Sequence, residues 1–191
     1  MNKTLAYVSL IIVYAIISIG LPSSSMAQPK NIVSLGGLVN PIGSVVGIQY
    51  EREISPFLSI GGFIGQLEYE VEYDEDGGTT TEEGDGMGFQ VLVFFHLGDR
   101  GMDGFYFGPG IGMWNTDWEW RWEHDTYKDE TGDGSSTVID LNFRLGYKFN
   151  LASDKLVIDP NFQVGNYSSD SDGGDELGAY IGVGVLFGYA W

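Results

Sequence analysis

Apolar side chains recur at every second position through most of this chain, the period of a β-strand whose two faces meet different surroundings. The clearest run is 139–149. Ile139, Leu141, Phe143, Leu145, Tyr147 and Phe149 point one way, and Asp140, Asn142, Arg144, Gly146 and Lys148 the other. The last run has no polar face at all. Ala179, Ile181, Val183, Val185, Phe187, Tyr189 and Trp191 form one side, and the mostly small series from Gly178 to Ala190 forms the other. A soluble sheet keeps one face wet. A strand facing lipid instead keeps a large apolar face with aromatics at its interfacial end.

This pattern predicts eight strands, at 31–39, 44–54, 57–73, 87–97, 104–122, from about 137 to 149, 155–167, and from 178 to the end. Short turns are expected at Asn40–Gly43, Ser55–Pro56, 98–103 and 150–154. Longer loops are expected at 74–86, from after Trp122 to Ser136, and around 170–176. Apart from the first turn, short and long connections alternate, as in an outer-membrane barrel with short turns at its periplasmic end. The predicted fold is all-β, an eight-stranded antiparallel up-and-down transmembrane β-barrel. A lipocalin-type barrel has the same strand number but the opposite facing, with apolar residues lining a cavity. The final strand, the aromatics near strand ends and the gathering of acid at one end favour the membrane form.

The chain opens on a short basic start, an apolar stretch from Leu5 to Leu21 and a small-x-small pair at Ser25 and Ala27. That is the pattern of a secretory signal peptide cleaved before Gln28. It assigns 1–27 to the signal and 28–191 to the barrel domain, with Sec-dependent export to the cell outer membrane. There are no cysteines, so stability must come from packing and strand closure rather than disulfides. The formal charge of −18 becomes −19 once Lys3 leaves with the signal, which argues against nucleic acid as a partner. Of 27 acidic residues, 19 fall in three Gly-, Ser- and Thr-rich segments, 70–85, 117–133 and 170–176, which read as solvated loops.

Gly104-Phe-Tyr-Phe-Gly-Pro-Gly-Ile-Gly112 is similar to the G-x-Y-x-G-P-G-I-G strand of many bacterial outer-membrane barrel domains. Asn40-Pro-Ile and Gly47-Ile-Gln-Tyr-Glu51 are similar to the opening hairpin of such domains. With the signal segment and the terminal aromatic, the chain resembles the OmpA/OmpX-like superfamily of small outer-membrane barrels. The resemblance implies Gram-negative envelope residence among lipid and lipopolysaccharide. It also implies passage through periplasmic chaperones and the barrel-assembly machinery. Phe187, Tyr189 and Trp191 would carry the assembly signal, although Leu186 stands where a glycine is common.

In such a barrel the lumen would receive Gln49, Glu51, Gln90, His96, Asp140, Asn142, Arg144, Lys148, Asp159, Asn161 and Gln163. The polar network expected to matter is Glu51, Gln90, Asp140, Arg144, Lys148, Asp159 and Gln163. An eight-stranded interior is nearly filled by side chains, so a stabilising polar plug is expected, with a narrow path for small ions or solutes as the alternative. Trp114, Trp118, Trp120 and Trp122 share one face and could serve as an interfacial girdle or as a surface for an extracellular ligand. Asp170, Asp172, Asp175 and Glu176 are weak candidates for a divalent cation. The two histidines, His96 and His124, lack the His-x-Ser context of a lipid A deacylase, so neither an enzyme nor a cofactor is expected. The expected role is structural, adhesive or surface-interactive.

Overall fold

The computed structural model describes residues 30–41, 43–75, 78–97, 101–124, 129–152, 155–169 and 178–191. The signal segment and the third acidic segment lie outside the described residues. Eight strands follow in order: β1 (Asn31–Val39), β2 (Gly43–Ser55), β3 (Leu58–Glu75), β4 (Gly78–His96), β5 (Gly104–His124), β6 (Glu130–Leu151), β7 (Leu156–Ser169) and β8 (Gly178–Ala190). They close into one antiparallel barrel, each strand beside its sequence neighbours. β8 returns to β1 with Phe187 opposite Leu35, so no strand in the ring is left without two neighbours. Asn31 N donates to the Trp191 carbonyl at 2.9 Å, and Trp191 N donates back to Asn31 O at 3.0 Å.

The outer face is a continuous apolar belt. Leu35, Val46, Ile48, Ile111, Leu141, Ile181, Val183 and Phe187 are all more than half exposed. In water this surface would be costly, whereas in hydrocarbon it is matched, and the closed ladder leaves no unpaired rim. On β6 the belt runs from Ile139 to Leu151. That is roughly 40 Å of strand at about 3.3 Å per residue, or about 30 Å of height at a tilt of about 40°. Aromatics gather on its lower half, toward the termini. Phe105 meets Tyr147 edge-on at 4.6 Å, Tyr147 meets Phe149 at 4.4 Å, and Tyr189 stacks on Trp191 at 6.4 Å. Pro109 also faces outward, and the β4–β5 ladder is interrupted beside it, where its missing N–H could not donate.

The four central strands outrun the belt. β3, β4, β5 and β6 have 18, 19, 21 and 22 residues, against 9 for β1 and 13 for β2. Their upper parts form a sheet rising from the barrel, with β3 and β4 paired as far as Glu75 opposite Gly78. This corrects the expectation of loops over 74–86 and up to Ser136, because strand pairing resumes at Gly78 and at Glu130. The physical reason is a cross-strand alternation of large and absent side chains. One row reads Tyr69, Gly84, Trp118, Gly134 across β3, β4, β5 and β6. A Cβ at Gly84 would lie 2.6 Å from the Tyr69 ring. Glycines that suggest loops in the sequence are here the spaces into which aromatic rings fold, keeping the ladder intact.

The interior is layered. Ile32, Met102, Val157 and Ala190 make an apolar floor near the termini. Leu38, Val45, Leu67, Trp114 and Val138 form the upper part of a larger apolar cluster that also reaches Phe94 and Tyr106. The polar side chains lie between them.

Candidate functional site

All eleven residues assigned to the lumen from the alternation are buried in the barrel interior. The network has two storeys. In the lower one Glu51 is the hub. Lys148 Nζ lies 2.9 Å from Glu51 Oε1, and Ser59 Oγ donates to the same oxygen at 2.6 Å. The ammonium also sits 3.8 Å from the centre of the Tyr106 ring and 4.8 Å from that of Phe94. Tyr106 in turn donates its hydroxyl to Asp159 Oδ1 at 2.7 Å. A buried ion pair is tolerable only when its remaining donors and acceptors are met, and these ring and hydroxyl contacts supply that.

In the upper storey Arg144 binds amides rather than a carboxylate. Its Nη1 donates to Gln49 Oε1 at 2.8 Å, and its Nη2 to Gln163 Oε1 at 3.0 Å and Gln90 Oε1 at 3.4 Å. Gln90 passes the polarity on, donating to Asp140 Oδ2 at 2.6 Å. Asn142 and Tyr180 complete the Asp140 carboxylate, each at 2.9 Å. Gln163 donates to the Tyr180 hydroxyl. The sequence sets both cations against Glu51, Asp140 and Asp159. Lys148 meets Glu51 directly, while Arg144 reaches Asp140 through Gln90.

Ser59, Tyr106 and Tyr180 are not singled out by the sequence. Their signal is position: each shares its strand's inward parity, but a tyrosine on a small-residue face gives no chemical hint. Ser59, His96 and Glu51 lie close together without forming a catalytic triad. His96 Nε2 faces both Ser59 Oγ at 2.8 Å and Glu51 Oε1 at 3.6 Å, while its Nδ1 has no hydrogen-bond partner. A triad needs the carboxylate on the nitrogen opposite the serine. Beside Gln90, Arg144 and Gln163 lies a cavity of about 10 Å³, room for no more than about one water.

Trp114 needs correction as a surface or interface aromatic. Continuing the outward parity of Phe105 and Ile111 along β5 turns Trp114 inward. It is fully buried, 6.5 Å from the Phe63 ring. Trp118, Trp120 and Trp122 follow on the same face above the barrel. Trp118 and Trp120 fold over Gly134 and Gly132 of β6, and Trp122 over Gly78 of β4. The lower lipid interface is taken by Phe105, Tyr147, Phe149, Tyr189 and Trp191 instead. Phe187, Tyr189 and Trp191, expected to carry the assembly signal, all point outward and are about half exposed.

On the rising sheet an open cleft of about 1410 Å³ is bordered by the β1–β2 turn, by carboxylates of β3, β4, β5 and β6, and by Trp118 and Trp120. Above the belt Tyr69 donates to Glu82 at 2.9 Å, and burial together with that carboxylate holds its phenol well above the usual tyrosine value. The cation candidates Asp170, Asp172, Asp175 and Glu176 lie outside the described residues, as does the His124 side chain. Among the described residues no group of three or more histidine, cysteine or carboxylate side chains could hold a metal ion.

No family model and no curated protein matches the chain. Solved structures do. A major outer membrane protein from Thermus thermophilus shares 12% identity at a TM-score of 0.52, over 86% of this chain and 100% of that one. Ail, the attachment invasion locus protein of Yersinia pestis, shares 10% at 0.41, over 85% and 97%. The N-terminal β-barrel domain of Pseudomonas aeruginosa OprF shares 14% at 0.41, over 86% and 100%. With its closed ring of eight antiparallel strands and its apolar outer belt, the chain has the fold of the small outer-membrane β-barrel proteins.

Proposed function

We propose that the protein is a cell-surface barrel of the outer membrane, exported by the Sec route and cleaved after Ala27. Its role is structural and interactive, exercised through the acidic sheet above the belt. The observation that carries this reading is the division of the molecule into a side-chain-filled, lipid-facing barrel and a four-stranded extension beyond it. A packed lumen suits an anchor, and material raised above the membrane suits contact with something outside. Lipopolysaccharide and outer-membrane lipid are the immediate neighbours of such a barrel, with the assembly machinery acting earlier.

The absence of cysteine makes the test clean. Single cysteines are introduced as Asp117→Cys on the extension and Lys155→Cys in the turn before β7. Intact cells are then treated with a membrane-impermeant maleimide. Labelling of the first alone, with the second labelled only after the outer membrane is permeabilised, supports the reading. The reverse pattern overturns it.

A further inference from the structure

On the eight strands, the outward positions below the row of Gln66, Met87, Asn115 and Thr137 hold apolar, glycine, proline or uncharged polar residues, with the single exception of Arg52. Its facing follows from its neighbours. Glu51 before it is buried in the lumen, and Arg52 is opposite Asn31 on β1 and Ile60 on β3, the latter 43% exposed. Ile54 and Phe57, both more than half exposed, come after it on the way into β3. Arg52 therefore stands inside the lower margin of the apolar belt, not below it. Its guanidinium makes no hydrogen bond or ion pair with any described residue. The adjacent Glu53 points elsewhere, its carboxylate lying 2.8 Å from where a Cβ on Gly101 would stand. An arginine facing lipid is costly unless its head reaches polar material.

Two more cations gather at this end. The Lys30 carbonyl accepts from Glu53 N at 2.9 Å, and the Lys155 carbonyl from Ala190 N at 2.8 Å. Among the described residues, Lys30, Arg52 and Lys155 are the only lysines or arginines outside the lumen and the rising sheet. We propose that Arg52 centres a binding site for the phosphate of an anionic phospholipid in the periplasmic leaflet. The guanidinium fork matches phosphate oxygens two at a time. Asn31 ties two interfacial aromatics to the site. It exchanges backbone bonds with Trp191, and the Tyr50 hydroxyl donates to its Oδ1 at 2.9 Å. Higher in the belt, Leu35 and Ile48 are paired across β1 and β2 and more than half exposed, an apolar track for acyl chains. A phosphate-bearing lipid of the other leaflet would meet the carboxylates of the rising sheet instead.

This inference rests on the reading that the lower end faces the periplasm, which cysteine labelling tests separately. Headgroup preference is measured in vesicles with both leaflets alike, so it does not depend on that orientation. The folded barrel is placed in phosphatidylcholine containing a minor share of a lipid brominated on its acyl chains. Bromine quenches indole on contact, and Trp191 is the one lipid-facing tryptophan, since Trp114 lies inside the barrel and Trp118, Trp120 and Trp122 follow its parity above. Brominated phosphatidylglycerol should quench more than brominated phosphatidylcholine at the same mole fraction, by an enrichment of roughly fivefold for one cation at an anionic lipid surface. In Arg52→Gln the two lipids should quench alike, while Arg52→Lys should keep part of the difference. Both variants should still shift in SDS gels on boiling, which shows them folded. Inorganic phosphate should leave the excess quenching in place. Equal quenching by the two lipids in the parent would overturn the proposal. So would an excess that survives in Arg52→Gln, or one that inorganic phosphate removes.

Discussion

Removing the Glu51 carboxylate would leave the Lys148 ammonium, 1% exposed and 2.9 Å from it, without its ion-pair partner inside the barrel. Glu51→Ala is therefore predicted to lower unfolding stability by about 3–5 kcal/mol, read from the urea midpoint in lipid vesicles. An unchanged midpoint together with a rise in bilayer conductance would favour the small-ion path over the plug. Trp114 makes a second prediction at this scale. As a fully buried ring it should cost about 3–5 kcal/mol on replacement by alanine, far more than a side chain at a lipid interface would. Both sites show what the sequence can and cannot yield. The inward parity of Glu51 and Lys148 is visible in the alternation. Their meeting across 97 residues of chain is set by ring closure and shear, which no local pattern encodes. Trp114 is legible in parity but not in facing, because a tryptophan suits both a core and an interface.

Within single strands, legibility changes at the top of the belt. Below it, β6 and β8 alternate between lipid and lumen, and their sequences say so. Above it, β4 and β6 run through Gly, Thr, Ser and acid, and the same backbone looks like loop. What keeps them as strands lies in the neighbours, the rings of Tyr69, Trp118 and Trp120 laid over Gly84, Gly134 and Gly132. Gly134→Val should therefore displace the Trp118 ring. The expected signs are a red shift of tryptophan emission and a weaker near-ultraviolet circular dichroism signal. The barrel below should keep its stability within about 1 kcal/mol, since the extension adds nothing to ring closure. A large fall in barrel stability with unmoved emission would contradict this account of the extension.

For the molecule as a whole, the facing of the strands decides everything else. The alternation fits equally an apolar belt around a polar lumen and a polar exterior around an apolar cavity. The structure resolves this by burying Arg144, Lys148, Glu51 and Asp159 while exposing Leu35, Ile48, Leu141 and Val183. A closed hydrogen-bonded ring with such a belt resists detergent until heated, because no strand edge offers a starting point for unzipping. The most direct measurement is fractionation of expressing cells, followed by gel mobility in SDS with and without boiling. The account predicts an outer-membrane protein that migrates as a compact form unboiled and shifts on boiling. A soluble periplasmic protein with one mobility under both conditions would contradict it.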